Sequence, residues 1–180
     1  MNLVVDTNVP LIANHLPTSG CPLRCAAVLK AFFEGSAALV LDEDWRIIKE
    51  YKNKLRTEQP GVGNEFLKWV LTNHANPARC EKVKITPCGS ASAGEDYEEF
   101  PRDTSLAHFD PSDRKFVAVA ACHRDRPTIL QATDSKWLGW YKPLRTAGIR
   151  VRFICYDEAM AVYLDKIGGP LPEVHEDDRA

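Results

Sequence analysis

Residues 3–6 read Leu-Val-Val-Asp, three apolar residues closed by a carboxylate, and they stand directly after Met1-Asn2. An unbroken apolar run has no polar face to turn to water, so it predicts a strand buried on both sides, as in a parallel sheet between helical layers. Three more runs share this character: AALVL at 37–41, TILQAT at 128–133 and VRFIC at 151–155. Between them the apolar spacing becomes helical, which predicts helices over 21–35, 42–56, 64–74 and 111–124, with Gly35, Pro60-Gly61, Pro127 and Gly148 at their ends. Strand alternating with helix places the chain in the α/β class with a mostly parallel sheet.

The chain has 180 residues, of which 44% are hydrophobic and 27% charged. That is one globular domain with an extension, too short for a second enzyme domain and too apolar for disorder. No run approaches the roughly 18–20 apolar residues that cross a bilayer, and no basic leader precedes the first strand, which predicts a cytosolic chain with no membrane partner. The six cysteines are scattered and read as thiols. Cys21-x3-Cys25 lacks a second pair at zinc-finger spacing, so structural zinc is not expected. The rhythm breaks over 76–109, rich in Gly, Ser, Pro and acid with one short strand candidate (VKIT), and this reads as a long insertion into a domain spanning 1–165. Residues 166–180 have the composition of an acidic tail.

A formal charge of −2 argues against a polyanionic partner only if the charges are evenly spread. They are not. Residues 95–103 carry five acids and one base, and 165–180 carry five acids and two bases; outside these segments stand 15 acids and 20 bases. Nucleic acid therefore remains open as a ligand.

Open α/β sheets bind ligands beyond the carboxyl ends of their strands, and Asp6 and Asp134 each follow a predicted strand directly. Each also suits a turn or a helix cap. In FDPSDRKFVAVA, Asp110 fits the cap, with Pro111 at the first helical position; Asp113 lies in line with Val117, Ala120 and Ala121, the buried stripe, and so requires a partner. In DEDWRIIKEYKNKL the stripe is Ile47, Ile48, Tyr51 and Leu55, and both Glu43 and Glu50 flank it, so periodicity does not choose between them. Carboxylates converging at one sheet edge repel one another unless a cation neutralises them, and all-oxygen donors suit Mg²⁺ or Mn²⁺. Such an ion polarises a phosphoryl oxygen and lowers the pKa of an attacking water.

In order and spacing, VVDTNV, Glu50 in IIKEY, Asp113 in DRKFVAVA and Asp134 in ATDSKW resemble the acidic quartet of the PIN-domain nucleases, over about residues 2–156. The resemblance implies a three-layer α/β/α sandwich with a central, mostly parallel sheet, dependence on Mg²⁺ or Mn²⁺, and endonucleolytic cleavage of single-stranded RNA. It implies Asp6, Glu50, Asp113 and Asp134 as the catalytic, metal-binding carboxylates, and Asn8 as a polar neighbour on the substrate side. Arg114 and Lys136 are the basic residues expected to meet substrate phosphates, Lys136 beside Trp137 and Trp140, which read more simply as the packing of a short helix. The family's settings also leave open a protein partner or inhibitor, and a homodimer.

Two alternatives stand beside this reading. One is a catalytically inactive PIN-like binding module. The other is different α/β phosphate chemistry, phosphatase-like; a haloacid-dehalogenase enzyme, however, needs a second Asp two positions after the first, where this chain has Asn8, and a response-regulator receiver needs a Lys after a strand.

Overall fold

A computed structural model of the chain describes residues 1–15, 20–89, 95–167 and 171–180. In chain order, β1 (Asn2–Val5) leads to α1 (Asn8–Ala13) and α2 (Gly20–Glu34), and β2 (Ala38–Asp42) to α3 (Arg46–Lys54) and α4 (Val62–Asn73). Next come β3 (Cys80–Val83), the short strands β4 (Pro87–Cys88) and β5 (Asp96–Tyr97), and α5 (Arg114–Cys122). The chain continues through β6 (Thr128–Gln131), α6 (Lys136–Thr146), β7 (Val151–Phe153) and α7 (Tyr156–Ile167).

Three of the apolar runs became strands buried on both sides, where Val4, Val5, Leu39, Val40, Leu41 and Ile129 have no exposed surface, whereas β7 buries Val151 and Phe153 and turns Arg152 outward. They pair in parallel, Leu3 with Leu39 and Thr128, Ile129 with Val151, in a five-stranded sheet of order β3-β2-β1-β6-β7. Helices cover both faces, giving a three-layer α/β/α sandwich. α1, α2 and α4 pack on one another, while α5 lies against β1, β2 and β6. The strand order shows how the chain winds: it leaves β1 in one direction through β2 to β3, then returns past β1 to β6 and β7. The reversal falls between β1 and β6, which makes the gap beyond their carboxyl ends the natural crevice of the fold.

Several expectations need correction. The stretch 76–109 is not simply an insertion. Its Cys80–Val83 forms the fifth strand of the central sheet, three residues earlier than VKIT, paired along its length with β2. Further on, Tyr97, Phe100, Leu106 and Phe109 are buried in the core, so this segment is held by apolar burial; its residues 90–94 lie outside the described set. The helix expected from residue 42 starts at Arg46. Asp42 ends β2 instead, fully buried, and its carboxylate accepts the amides of Arg46 (2.8 Å) and Ile47 (2.9 Å), which caps α3.

α7 runs into what was read as tail, and residues 171–180 are docked. Asp178 accepts the Tyr141 hydroxyl and the Arg145 guanidinium, both at 2.6 Å, while the Ala180 amide reaches the Phe153 carbonyl at 2.9 Å. Residues 168–170 of that tail lie outside the described set. Nor are all the cysteines thiols: Cys21 on α2 and Cys155, just after β7, form a disulfide across a separation of 134 residues. Sequence spacing cannot reveal a partner that only the fold brings near. Among the described residues no helix is long and apolar enough to cross a membrane.

Candidate functional site

The crevice between β1 and β6 is tied across by one side chain. Asn8 Oδ1 accepts both the backbone amide (3.1 Å) and the hydroxyl (3.0 Å) of Thr133, while the backbone N–H of Asn8 donates to Asp6 Oδ1 at 2.8 Å. These bonds fix the two strand ends that carry Asp6 and Asp134. Asp6 is buried and Asp134 half-buried.

Glu50 arrives from α3. The helix is set on the sheet by its buried face, where Tyr51 donates its hydroxyl to the Val5 carbonyl at 2.5 Å; Glu50, the preceding residue, is thereby held at the flank of β1. Thr7 Oγ1 donates to Glu50 Oε1 at 2.5 Å. Glu43 goes elsewhere: it is exposed, its amide bonded to Val83 at the β2–β3 end, and its charge is felt at Cys122. Packing thus makes the choice between the two glutamates that helical periodicity left open.

Asp113 comes from the 3-10 turn that opens α5. Asp110 is the cap of that turn, accepting the Ser112 amide (3.0 Å) and hydroxyl (2.8 Å). One turn further, Asp113 faces the sheet and receives the Trp137 indole N–H at 3.2 Å. Trp137 is buried against Phe109, so the packing role expected for it holds, and in addition it orients a carboxylate.

The four acids feel one another. Burial first, then the charge of Asp113, pushes the Asp6 carboxyl well above the ordinary range, with Glu50 and Asp134 adding to it. Burial likewise raises Asp113 to about 6, followed by the charges of Asp110 and Asp134, against which Lys115 pulls down. Lys115 is the counter-charge of the group. It is buried, its ammonium lies 2.5 Å from Glu50 Oε2, and it donates to the Ser112 carbonyl. Sequence reasoning misses Thr7, and it places Lys115 only among the basic residues near the mouth, whereas here Lys115 is an internal partner of Glu50; the signal of each is its nearness in sequence to Asp6 and to Asp113.

All four acidic side chains offer hard oxygen donors under mutual repulsion, a donor set that fits a divalent ion such as Mg²⁺ or Mn²⁺. Their oxygens frame a gap and do not form a closed cage. Among the described residues, only Cys21, Cys25 and Cys155 bring three ligating atoms within 4.8 Å of one another. An ion at the acidic gap would draw the carboxylates in or reach some of them through water, as Mg²⁺ commonly does.

The basic residues divide. Arg114, expected at the mouth, is spent on structure: it pairs with Asp96 at 3.0 Å, donates to the carbonyls of Ala107 and Phe109, and covers the Phe100 ring, clamping residues 95–109 to α5. Lys136 is exposed and lies 3.1 Å from Asp110 Oδ2. A groove of about 470 Å³ is lined by Glu50 and Lys115, by Arg46, Lys49, Asn53 and Lys54, and by Glu95 and Ser112. Its cations share a helix face with Glu50, the spacing 46, 50, 54 being one turn each, and that was the signal available for them.

The raised acids carry a pH signature. Asp113 binds its proton more tightly folded, near pH 6, than at its unfolded value of 3.8. The stability it lends is therefore complete below about pH 4 and is lost as pH rises through 6. Asp113→Asn removes that loss. In chelator-treated protein its advantage over the parent in urea unfolding should be near zero at pH 4 and grow to as much as about 3 kcal/mol above pH 6, less what solvent screens at this half-buried group. A gap that stays constant between pH 4 and 7 would show that Asp113 is not raised.

Compared with protein-family models, with curated proteins and with solved structures, the chain gives no match.

Proposed function

We propose that the chain is a metal-dependent nuclease of the PIN-like kind, an endoribonuclease that hydrolyses phosphodiester bonds of single-stranded RNA. The observation that carries this reading is the convergence of Asp6, Glu50, Asp113 and Asp134, drawn from four separate elements, at the crevice between β1 and β6. Structural carboxylates are ordinarily paired with bases or caps, as Asp42 and Asp178 are here. Four acids sharing one buried lysine remain short of positive charge.

Mg²⁺ or Mn²⁺ bound there would supply Lewis acidity toward a phosphoryl oxygen and a water of lowered pKa. The chain's own part is to position. Thr7 and Lys115 hold Glu50, Trp137 holds Asp113, and Asn8 fixes the spacing of the strand ends that bear Asp6 and Asp134. The groove that Arg46, Lys49 and Lys54 line with Glu50 carries more cations than acids and suits the phosphates flanking a scissile bond, with Lys136 on the side of Asp110. No base-reading module accompanies these contacts, so the binding is expected to follow the backbone.

Purified protein incubated with labelled single-stranded RNA and Mn²⁺, alongside DNA of the same sequence, tests the reading. Cleavage of RNA in preference to DNA supports it; preference for DNA would leave the metal site and remove the ribonuclease assignment. In the same assay Glu50→Gln should lower turnover by well over tenfold, whereas Glu43→Gln should match the parent in rate and in stability to within about 0.5 kcal/mol. The reverse ranking would refute the role given to Glu50. One observation favours the alternative of a binding module that does not cut: Lys115 already neutralises Glu50. RNA binding without cleavage, and without a calorimetric signal for Mn²⁺, would select that alternative.

A further inference from the structure

Away from the acidic side chains, α2 presents Cys21 and Cys25 one helical turn apart, both buried. Cys155 comes to them from the turn between β7 and α7, also buried. Cys25 Sγ lies 3.7 Å from Cys155 Sγ, and all three sulfur atoms lie within 4.8 Å of one another. Metal–thiolate bonds of about 2.3 Å set sulfurs about 3.8–4.0 Å apart around a common ion, so the Cys25–Cys155 separation already matches one edge of such a site.

A second set of contacts ties the same junction. Arg24, between the two α2 cysteines, reaches across to the same junction: its guanidinium grips Glu158 through both carboxylate oxygens, at 2.7 and 2.8 Å, and its Nε donates to the Ile154 carbonyl at 2.9 Å. With the Cys21–Cys155 bond open, Cys155 would still be held beside α2.

We infer that the reduced chain binds one thiophilic metal ion through Cys21, Cys25 and Cys155. The donor set is all sulfur, with no His, Asp or Glu completing it among the described residues, which selects soft d¹⁰ ions over the hard ions suited to the acidic crevice. Three buried sulfurs without a fourth donor suit Cu(I); Zn(II) would need an added ligand to complete a tetrahedron. Access to the site requires the disulfide to open. A dithiol reductant gives two electrons and two protons to the Cys21–Cys155 bond and becomes a disulfide itself; the ion then replaces thiol protons, which leave to solvent. Metal and disulfide are alternative closures of the same junction. This inference is independent of the nuclease reading.

The test uses the whole chain, reduced with a dithiol, desalted without oxygen, and titrated separately with Cu(I) and with Zn(II). The expected result is one ion retained per chain, a thiolate-to-metal charge-transfer absorption, and at least tenfold tighter retention of Cu(I) than by Cys25→Ser. That variant should still form the Cys21–Cys155 disulfide when oxidised, which shows that it folds; Cys122→Ser, altered outside the cluster, should bind like the parent. Retention of zinc in place of copper would assign the same sulfurs to a site completed by a further ligand. Less than stoichiometric retention of both ions, or Cys25→Ser binding as the parent does, would overturn the inference.

Discussion

Asp6→Asn is expected to abolish phosphodiester cleavage in Mn²⁺ while leaving the domain folded and more stable than the parent. The substitution keeps the size of the side chain and the oxygen that accepts the Asn8 amide, and removes the charge. Binding of a divalent ion contributes several kcal/mol to a phosphoryl-transfer transition state, so loss of the ligand proposed at Asp6 corresponds to roughly a thousandfold or more in rate. Stability moves the other way, because Asp6 is buried beside Asp113, Glu50 and Asp134, and burial together with their charges disfavours its ionised form. The two measurements together are the check: cleavage rate on labelled RNA, and thermal midpoint with chelator. Cleavage at the parental rate would remove Asp6 from the proposed chemistry. A lower midpoint would mean that Asp6 is a structural carboxylate, like Asp42.

The second large effect concerns the disulfide. Opening Cys21–Cys155 frees a loop of 134 residues in the unfolded chain, and by chain entropy such a closure stabilises the fold by about 4–5 kcal/mol. For a domain of this size that corresponds to a fall in Tm on the order of 10 °C on reduction, in metal-free buffer. Cys155→Ser should reproduce the fall and make Tm insensitive to reductant, whereas Cys122→Ser, altered at an exposed free thiol, should retain it. A reduced protein melting within a degree or two of the oxidised one would show that the bond is not formed in solution.

Much of this architecture is legible in the sequence because burial on both faces leaves a plain trace. β1 and β2 contain apolar runs, β6 centres on Ile129-Leu130, β7 sets a single outward Arg152 between buried Val151 and Phe153, and Asp6 and Asp134 can be placed by the end of the run alone. β3 leaves no such trace: as an edge strand it reads Cys-Glu-Lys-Val, half of it facing outward. α1 has only six residues and contains Pro10, too short for a period to show. At the site, Asp113 is marked by the stripe it continues. The choice of Glu50 over Glu43 depends on the Tyr51 anchor to Val5, a contact between elements that no local pattern contains. The same holds for Arg114, which looks like a phosphate ligand until Asp96 and Phe100 are folded against it. The Cys21–Cys155 pair lies beyond any spacing rule.

The docked carboxyl-terminal residues do more than fill space beside α6. β7 is the outermost strand on its side of the sheet, and an outermost strand carries a row of unpaired amides and carbonyls on which any extended chain can template itself. Arg179 forms a parallel bridge with Phe153, and the Ala180 amide takes the Phe153 carbonyl, so the chain blocks that rim with its own backbone. At the opposite rim the guard is electrostatic, since β3 carries Glu81 and Lys82. The two rims are therefore not equally robust. Charge on β3 cannot be detached, whereas a cut between α7 and residue 171 would release the blocking segment and turn β7 into a docking line for a second copy, the first step toward self-association.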